Sequence, residues 1–104
     1  MYLPSAVSKK PEIAAAVDAV VTALEPHVRH IRWDIGRDWT GDWAIFFRIV
    51  LSDTASRGSR LPRITSEVKK QLLESVRPQE IGLIPYCSFR SQSEQAKLKE
   101  MAWQ

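Results

Sequence analysis

Residues 31–51, IRWDIGRDWTGDWAIFFRIVL, predict a β-hairpin. In Ile31–Ile35 the apolar side chains hold the odd positions and the polar ones the even positions, a period of two that is typical of a half-buried strand. From Trp43 to Leu51 every odd position is large and apolar, whereas the even positions are mixed. Residues 36–42 between them are rich in turn formers. Two strands joined by such a short loop are expected to pair antiparallel.

Helical periodicity flanks this hairpin on both sides. Before it, apolar residues recur at spacings of three and four and predict a helix of about 14 residues that ends at Glu25-Pro26. The members of this stripe are Ile13, Val17, Val20, Val21, Leu24 and Val28. After the hairpin, Pro62 suits the first turn of a second helix. The apolar residues of that helix are spaced by four: Ile64, Val68, Leu72 and Val76.

A third strand and a last helix complete the chain. Tyr86 to Arg90 reads as a strand, and Ser91 and Glu94 have the spacing of a capping box that would open a helix running through Ala102. The order helix, strand, strand, helix, strand, helix predicts the α+β class. We expect a two-layer sandwich with a three-stranded, mainly antiparallel sheet and helices on one face. Residues 1–104 form a single globular domain, with residues 1–10 as a flexible arm.

Composition supports a small soluble domain. Hydrophobic residues make up 44% and charged residues 26% of the chain, which is ordinary for a globular protein. The single cysteine, Cys87, excludes an internal disulfide and fits a reducing compartment, so we expect a cytoplasmic protein. Residues 13–24, the longest apolar stretch, are interrupted by Asp18 and too short to span a bilayer, and no membrane contact is expected. A net charge of +3 permits nucleic-acid binding without requiring it.

Strand parity predicts that the helices leave one face of the sheet uncovered, and that this face carries aromatic and basic side chains. The residues predicted to bind a partner or nucleic acid are Arg32, Phe46, Arg48, Tyr86 and Arg90, together with Trp39 of the hairpin loop. Tyr, Phe, Trp and Arg are enriched in protein interfaces. The leading hypothesis is a non-enzymatic interaction module that binds a protein partner or itself, as in one half of a bacterial two-protein system such as a toxin–antitoxin pair. Two alternatives are a solvated face and a face covered by the last helix.

Nucleic acid is the second hypothesis. Arg57, Arg60 and Arg63 lie before and within the start of the second helix, where free amides and the helix dipole attract anions, and they are the candidate phosphate contacts. The order of helix, hairpin, helix and third strand resembles in topology the bacterial KH-like RNA-binding domains, whose GxxG loop lies between two helices. Here residues 57–60 carry one glycine and lie between a strand and a helix. The resemblance implies RNA or another single strand as the ligand.

Signals for catalysis are weak, and no catalytic residue, cofactor or metal is predicted. His27 and His30 are three residues apart at a helix-to-strand junction, and parity separates His30 from Cys87. The carboxylates clustered around the hairpin are Asp34, Asp38, Asp42 and Asp53. They are interpreted as turn and strand-end residues, and an enzyme that uses these hairpin carboxylates is the third hypothesis.

Overall fold

A computed structural model describes residues 5–104 and confirms the α+β class and the order of elements. The helices are α1 (Lys10–Ala23), α2 (Leu61–Val76) and α3 (Gln92–Leu98), and the strands are β1 (Val28–Arg37), β2 (Trp43–Leu51) and β3 (Ile84–Ser91). Single 3-10 turns cover Ser5–Lys9, Gly58–Arg60, Pro78–Ile81 and Met101–Trp103. Among the described residues, no helix combines the length and apolar character needed to cross a bilayer.

The sheet is mixed, with the order β1-β2-β3. β1 and β2 pair antiparallel, as the hairpin predicts. β3 pairs parallel to β2, which corrects the mainly antiparallel sheet expected from the sequence. The reason is the connection: α2 carries the chain back along the sheet after β2, so that β3 starts beside the beginning of β2 and runs in the same direction.

The core lies between one sheet face and the first two helices, where strand parity predicts it. Phe47, in the central strand, is 1% exposed and pairs with Trp33 of β1 and Cys87 of β3. The other main members of this core are Ile13, Val17, Val20, Ile31, Ile45, Ile49, Val68 and Leu72. Trp33 and Trp43 are only partly buried and pack against its margin.

The boundaries of several elements differ from the expectation. Val28 begins β1 instead of closing the helical stripe, because α1 already ends at Ala23. Within the predicted arm, residues 1–4 lie outside the described residues, and Ala6 is fully buried in the core. The last helix ends at Leu98, since Lys99 takes a left-handed conformation with φ 51° and caps it.

Candidate functional site

The sheet face turned away from α1 and α2, called here the outer face, is divided into two halves. It carries the even-numbered side chains of the strands, as parity predicts, except that of Val28, which lies in the core because the β1–β2 register shifts between Val28 and His30. At the hairpin end lies an aromatic patch, defined as Trp39, Phe46, Ile84 and Tyr86. At the opposite end the face is covered by the C-terminal segment, defined as residues 99–104. All six residues predicted to bind a partner lie on this face or beside it.

The three rings of the aromatic patch are in contact in series, Phe46 with Tyr86 and Tyr86 with Trp39. Phe46 and Tyr86 are partners in the β2–β3 register, and their rings stack with centroids 5.5 Å apart and planes 16° apart. Trp39 packs on Tyr86 at 5.2 Å with a tilt of 53°. Trp39 is nevertheless 82% exposed, which makes it the most exposed large hydrophobic residue among residues 5–104. Ile84, two residues before Tyr86 on β3, adds a further exposed apolar side chain.

Asp38 fixes the loop that presents Trp39. One carboxylate oxygen accepts hydrogen bonds from the Thr40 amide at 2.9 Å, the Thr40 hydroxyl at 2.6 Å and the Asp42 amide at 3.0 Å. The other oxygen accepts the Tyr86 hydroxyl at 2.7 Å. The hydrogen bonds from Thr40 and Tyr86 lower the pKa of Asp38 from 3.8 to about 2. The ionised carboxylate of Asp38 therefore connects the loop that carries Trp39 to Tyr86, the ring on which Trp39 packs.

The surroundings of the patch are acidic. The hydrogen bond to Asp38 raises the pKa of Tyr86, and the negative charges of Asp38 and Asp42 contribute to the same shift. Arg48, in the centre of the outer face, forms an ion pair with Asp34 of the adjacent strand. The positive charge of Arg48 is therefore neutralised by Asp34, whereas Asp42, beside the rings, is exposed.

The C-terminal segment covers the other half of the outer face. Trp103 is 8% exposed and lies under the Arg90 guanidinium, 4.2 Å from the ring centroid. Arg90 also donates to Gln95 at 3.1 Å and to Glu100 at 3.2 Å, and Arg32 donates to the Gln104 backbone oxygen at 3.0 Å. The sequence alternative gave the last helix as the cover; in the structure, the 3-10 turn that follows this helix covers this half.

The three arginines predicted to bind phosphate lie far from the aromatic patch. Arg57, Arg60 and Arg63 are all exposed and follow the end of β2, whereas the hairpin loop precedes its beginning. At about 3.3 Å per residue, the end of β2 is roughly 26 Å from the hairpin loop and roughly 17 Å from Phe46 along the strand. Hydrogen bonds from Ser93 lower the pKa of Asp53, and the positive charge of Arg57 acts in the same direction. The structure does not join these arginines to the aromatic rings in one site.

Three of the four carboxylates considered for catalysis have structural partners. Asp34 pairs with Arg48, Asp38 organises the hairpin loop, and Asp53 accepts hydrogen bonds from Ser93. Burial raises the pKa of the Cys87 thiol, which disfavours the thiolate. Within residues 5–104 no three His, Cys, Asp or Glu side chains come together as metal ligands.

Two residues important for the outer face were missed by sequence reasoning. An aspartate two residues before a threonine, as in Asp38-Trp39-Thr40, is a signal for an Asx-type turn and could have identified Asp38 as the organiser of the loop. Trp103 has no comparable signal, because its neighbours show neither helical nor strand periodicity. Comparisons of the chain with protein-family models, curated proteins and solved structures found no match.

Proposed function

We propose that this chain is a non-enzymatic interaction module that binds a protein partner through the aromatic patch. The observation that carries the proposal is Trp39, which is 82% exposed and yet held in place by a stack and a hydrogen-bonded loop. An exposed indole leaves apolar area in water that binding would remove. Tryptophan and tyrosine are the residues most often found as binding hot spots.

The rigidity of the patch favours tight binding. Association costs free energy when side chains and loops must be ordered at the interface. Here the hydrogen bonds of Asp38 order the loop, and the Phe46 ring stacks on the Tyr86 ring. The rings are therefore presented in one arrangement before a partner arrives, which reduces that cost.

Replacing Trp39 by alanine tests the proposal. Met101→Ala is a matched control, because Met101 is 79% exposed but belongs to the C-terminal segment. Trp39→Ala should leave the melting temperature nearly unchanged and weaken partner binding by about 30-fold or more, as expected for a hot spot of about 2 kcal/mol. Affinity capture followed by mass spectrometry, and sedimentation for a second copy, would measure this. Partners retained equally by wild type and Trp39→Ala would contradict the proposal.

Single-stranded nucleic acid is a second candidate, favoured by the exposed rings and by the exposed arginines 57, 60 and 63. Bases can stack on such rings while arginines contact phosphates. Fluorescence anisotropy with short labelled RNA and DNA strands at two salt concentrations is the test. If this candidate is right, replacing Arg57 and Arg60 together weakens binding to all sequences and flattens the salt dependence. Absence of binding by the wild type at low salt excludes it.

A further inference from the structure

We infer that the partner of the aromatic patch presents a lysine or arginine side chain to Trp39, held there by the ring face and by the carboxylate of Asp42. This inference rests on the proposed function and names the chemistry of the partner. Its basis is the distribution of cations over the aromatic rings of this chain, together with the charge beside the patch.

Among residues 5–104, four aromatic rings have a cation of the same chain over them. Arg90 lies 4.2 Å from the centroid of Trp103, and Arg37 lies 4.6 Å from that of Trp43. Arg48 over Phe46 and Lys69 over Phe89 are more distant, at 5.9 and 5.8 Å. Within residues 5–104 no such cation lies over Trp39 or Tyr86. Tryptophan is the best ring acceptor for a cation, so the most exposed ring acceptor of the described chain is free to bind one from outside.

The charges around Trp39 select a cation over an anion. Asp38 and Asp42 lie on either side of Trp39 in the loop, and both carboxylates act on the nearby Tyr86 hydroxyl. Asp42 is exposed, and its carboxylate lies 3.2 Å from the Thr40 hydroxyl, whose one proton is donated to Asp38 at 2.6 Å; the Asp42 carboxylate therefore keeps its acceptor capacity. Arg37 of the same loop donates to the Gly41 carbonyl at 2.8 Å and lies over Trp43, so Arg37, Asp38 and Asp42 together give the loop a net charge of −1 in a chain of net charge +3. A basic side chain is attracted there by the Trp39 ring and by the Asp42 carboxylate, whereas a phosphate or a carboxylate is repelled by Asp42.

The occupant that fits is therefore a basic segment of another protein. A nucleic acid would bring phosphates close to Asp42. A second copy would have to bring one of its own exposed arginines to Trp39, either reciprocally in a closed dimer or head to tail, and self-association is therefore an outcome of the test.

Selection from a phage-displayed library of random octapeptides tests the inference. The library is selected on the wild type and depleted on Trp39→Ala. Enriched peptides should share a lysine or arginine at a fixed position. A synthetic peptide of the enriched sequence, with citrulline or glutamine in place of that residue, should bind about tenfold more weakly by calorimetry. Asp42→Asn, which removes the charge and nearly preserves the shape of the side chain, should weaken the basic peptide similarly and leave its neutral version unaffected.

The outcomes separate this inference from the proposed function. Enriched peptides without a shared basic residue, or equal affinity of the basic and neutral peptides, would overturn the inference and leave the protein-binding function standing. Failure to enrich any peptide over Trp39→Ala would count against the proposed function and this inference together. The peptide substitution needs no change in the protein, so the result does not depend on how Asp42→Asn folds. Self-association, as a dimer or a polymer, that Trp39→Ala abolishes, without peptide enrichment, would assign the patch to a second copy instead.

Discussion

Replacing Trp103 by alanine should release the C-terminal segment without unfolding the domain. Trp103 is the buried residue of that segment, and it packs on the outer face beside Arg90 and away from the main core. The amides of Trp103 and Gln104 bond only to carbonyls within the same short turn. The attachment of the segment to the sheet therefore depends on the indole, on Arg90 and on the hydrogen bond from Arg32.

The expected magnitude follows from these contacts. Burying a tryptophan side chain of 150–250 Å² contributes about 4–6 kcal/mol at about 25 cal/mol per Å². The Arg90–Trp103 contact and the hydrogen bonds from Arg90 and Arg32 add about 1 kcal/mol each. Ordering the backbone of residues 99–104 costs about 1–2 kcal/mol per residue, which is of the same size as this gain. The free energy gained from the contacts and the free energy lost by ordering the segment nearly cancel. Trp103→Ala should therefore lower the free energy of unfolding by only about 2 kcal/mol.

Phe47→Ala is the control, because Phe47 is 1% exposed in the main core and its truncation should cost about 3–5 kcal/mol. Both free energies of unfolding can be measured by urea denaturation. Release of the segment can be followed by trypsin cleavage after Lys99, which should accelerate about tenfold or more in Trp103→Ala. A loss of stability equal to that of Phe47→Ala, or an unchanged cleavage rate, would refute the view that the segment is a separately detachable cover.

Three further predictions concern the loop and the last helix. Because the pKa of Asp38 is lowered from 3.8 to about 2, its hydrogen bonds stabilise the hairpin loop fully above pH 3.8, and this stabilisation is lost as the pH falls toward 2. The NMR resonance of the Trp39 indole should shift over this pH interval, and Asp38→Asn should abolish the shift. Gly41→Ala should cost about 1–2 kcal/mol in urea denaturation, since Gly41 has φ +88° and an added Cβ meets no atom within 4 Å, so the penalty is conformational; no change would argue against a rigid loop. Ser91→Ala should cost about 1 kcal/mol by removing the capping box with Glu94, and Ser91→Asp, which restores a cap acceptor, should recover most of it.

The elements that the sequence predicts well are those whose signal is local. The period of two places Phe47 and Ile49 in the core, and the spacing of Ser91 and Glu94 predicts a capping box that the structure contains. The direction of β3 is not a local property: it depends on the length of α2 and on where the chain returns to the sheet. Parity likewise assigns Arg32 and Arg90 to the outer face but contains no information about what covers them.

The aromatic patch could be assembled only in part from the sequence, for the same reason. Parity brings Phe46 and Tyr86 to one face once β3 is placed beside β2. The stacking of Trp39 on Tyr86, however, is set by the hydrogen bond between Asp38 and the Tyr86 hydroxyl, which joins residues 48 positions apart. Contacts of this range are decided by the packing of the whole domain, and a single sequence gives no periodic signal for them.

The two tryptophans of the outer face show how its two halves are related. Trp103 is buried and receives the Arg90 guanidinium over its ring, and Glu100 binds the same guanidinium at 3.2 Å. Trp39 has the corresponding exposed ring and a neighbouring acid, Asp42, but within residues 5–104 no arginine lies over its ring. The covered half therefore displays, within the molecule, the combination of indole, guanidinium and carboxylate that we propose for the exposed half with the cation supplied by a partner. On this reasoning an arginine should bind better than a lysine at Trp39, because the planar guanidinium stacks on the ring while its N–H groups reach the carboxylate. A lysine-for-arginine exchange in the selected peptide would measure that difference, and tighter binding of the lysine peptide would argue against the analogy between the two halves.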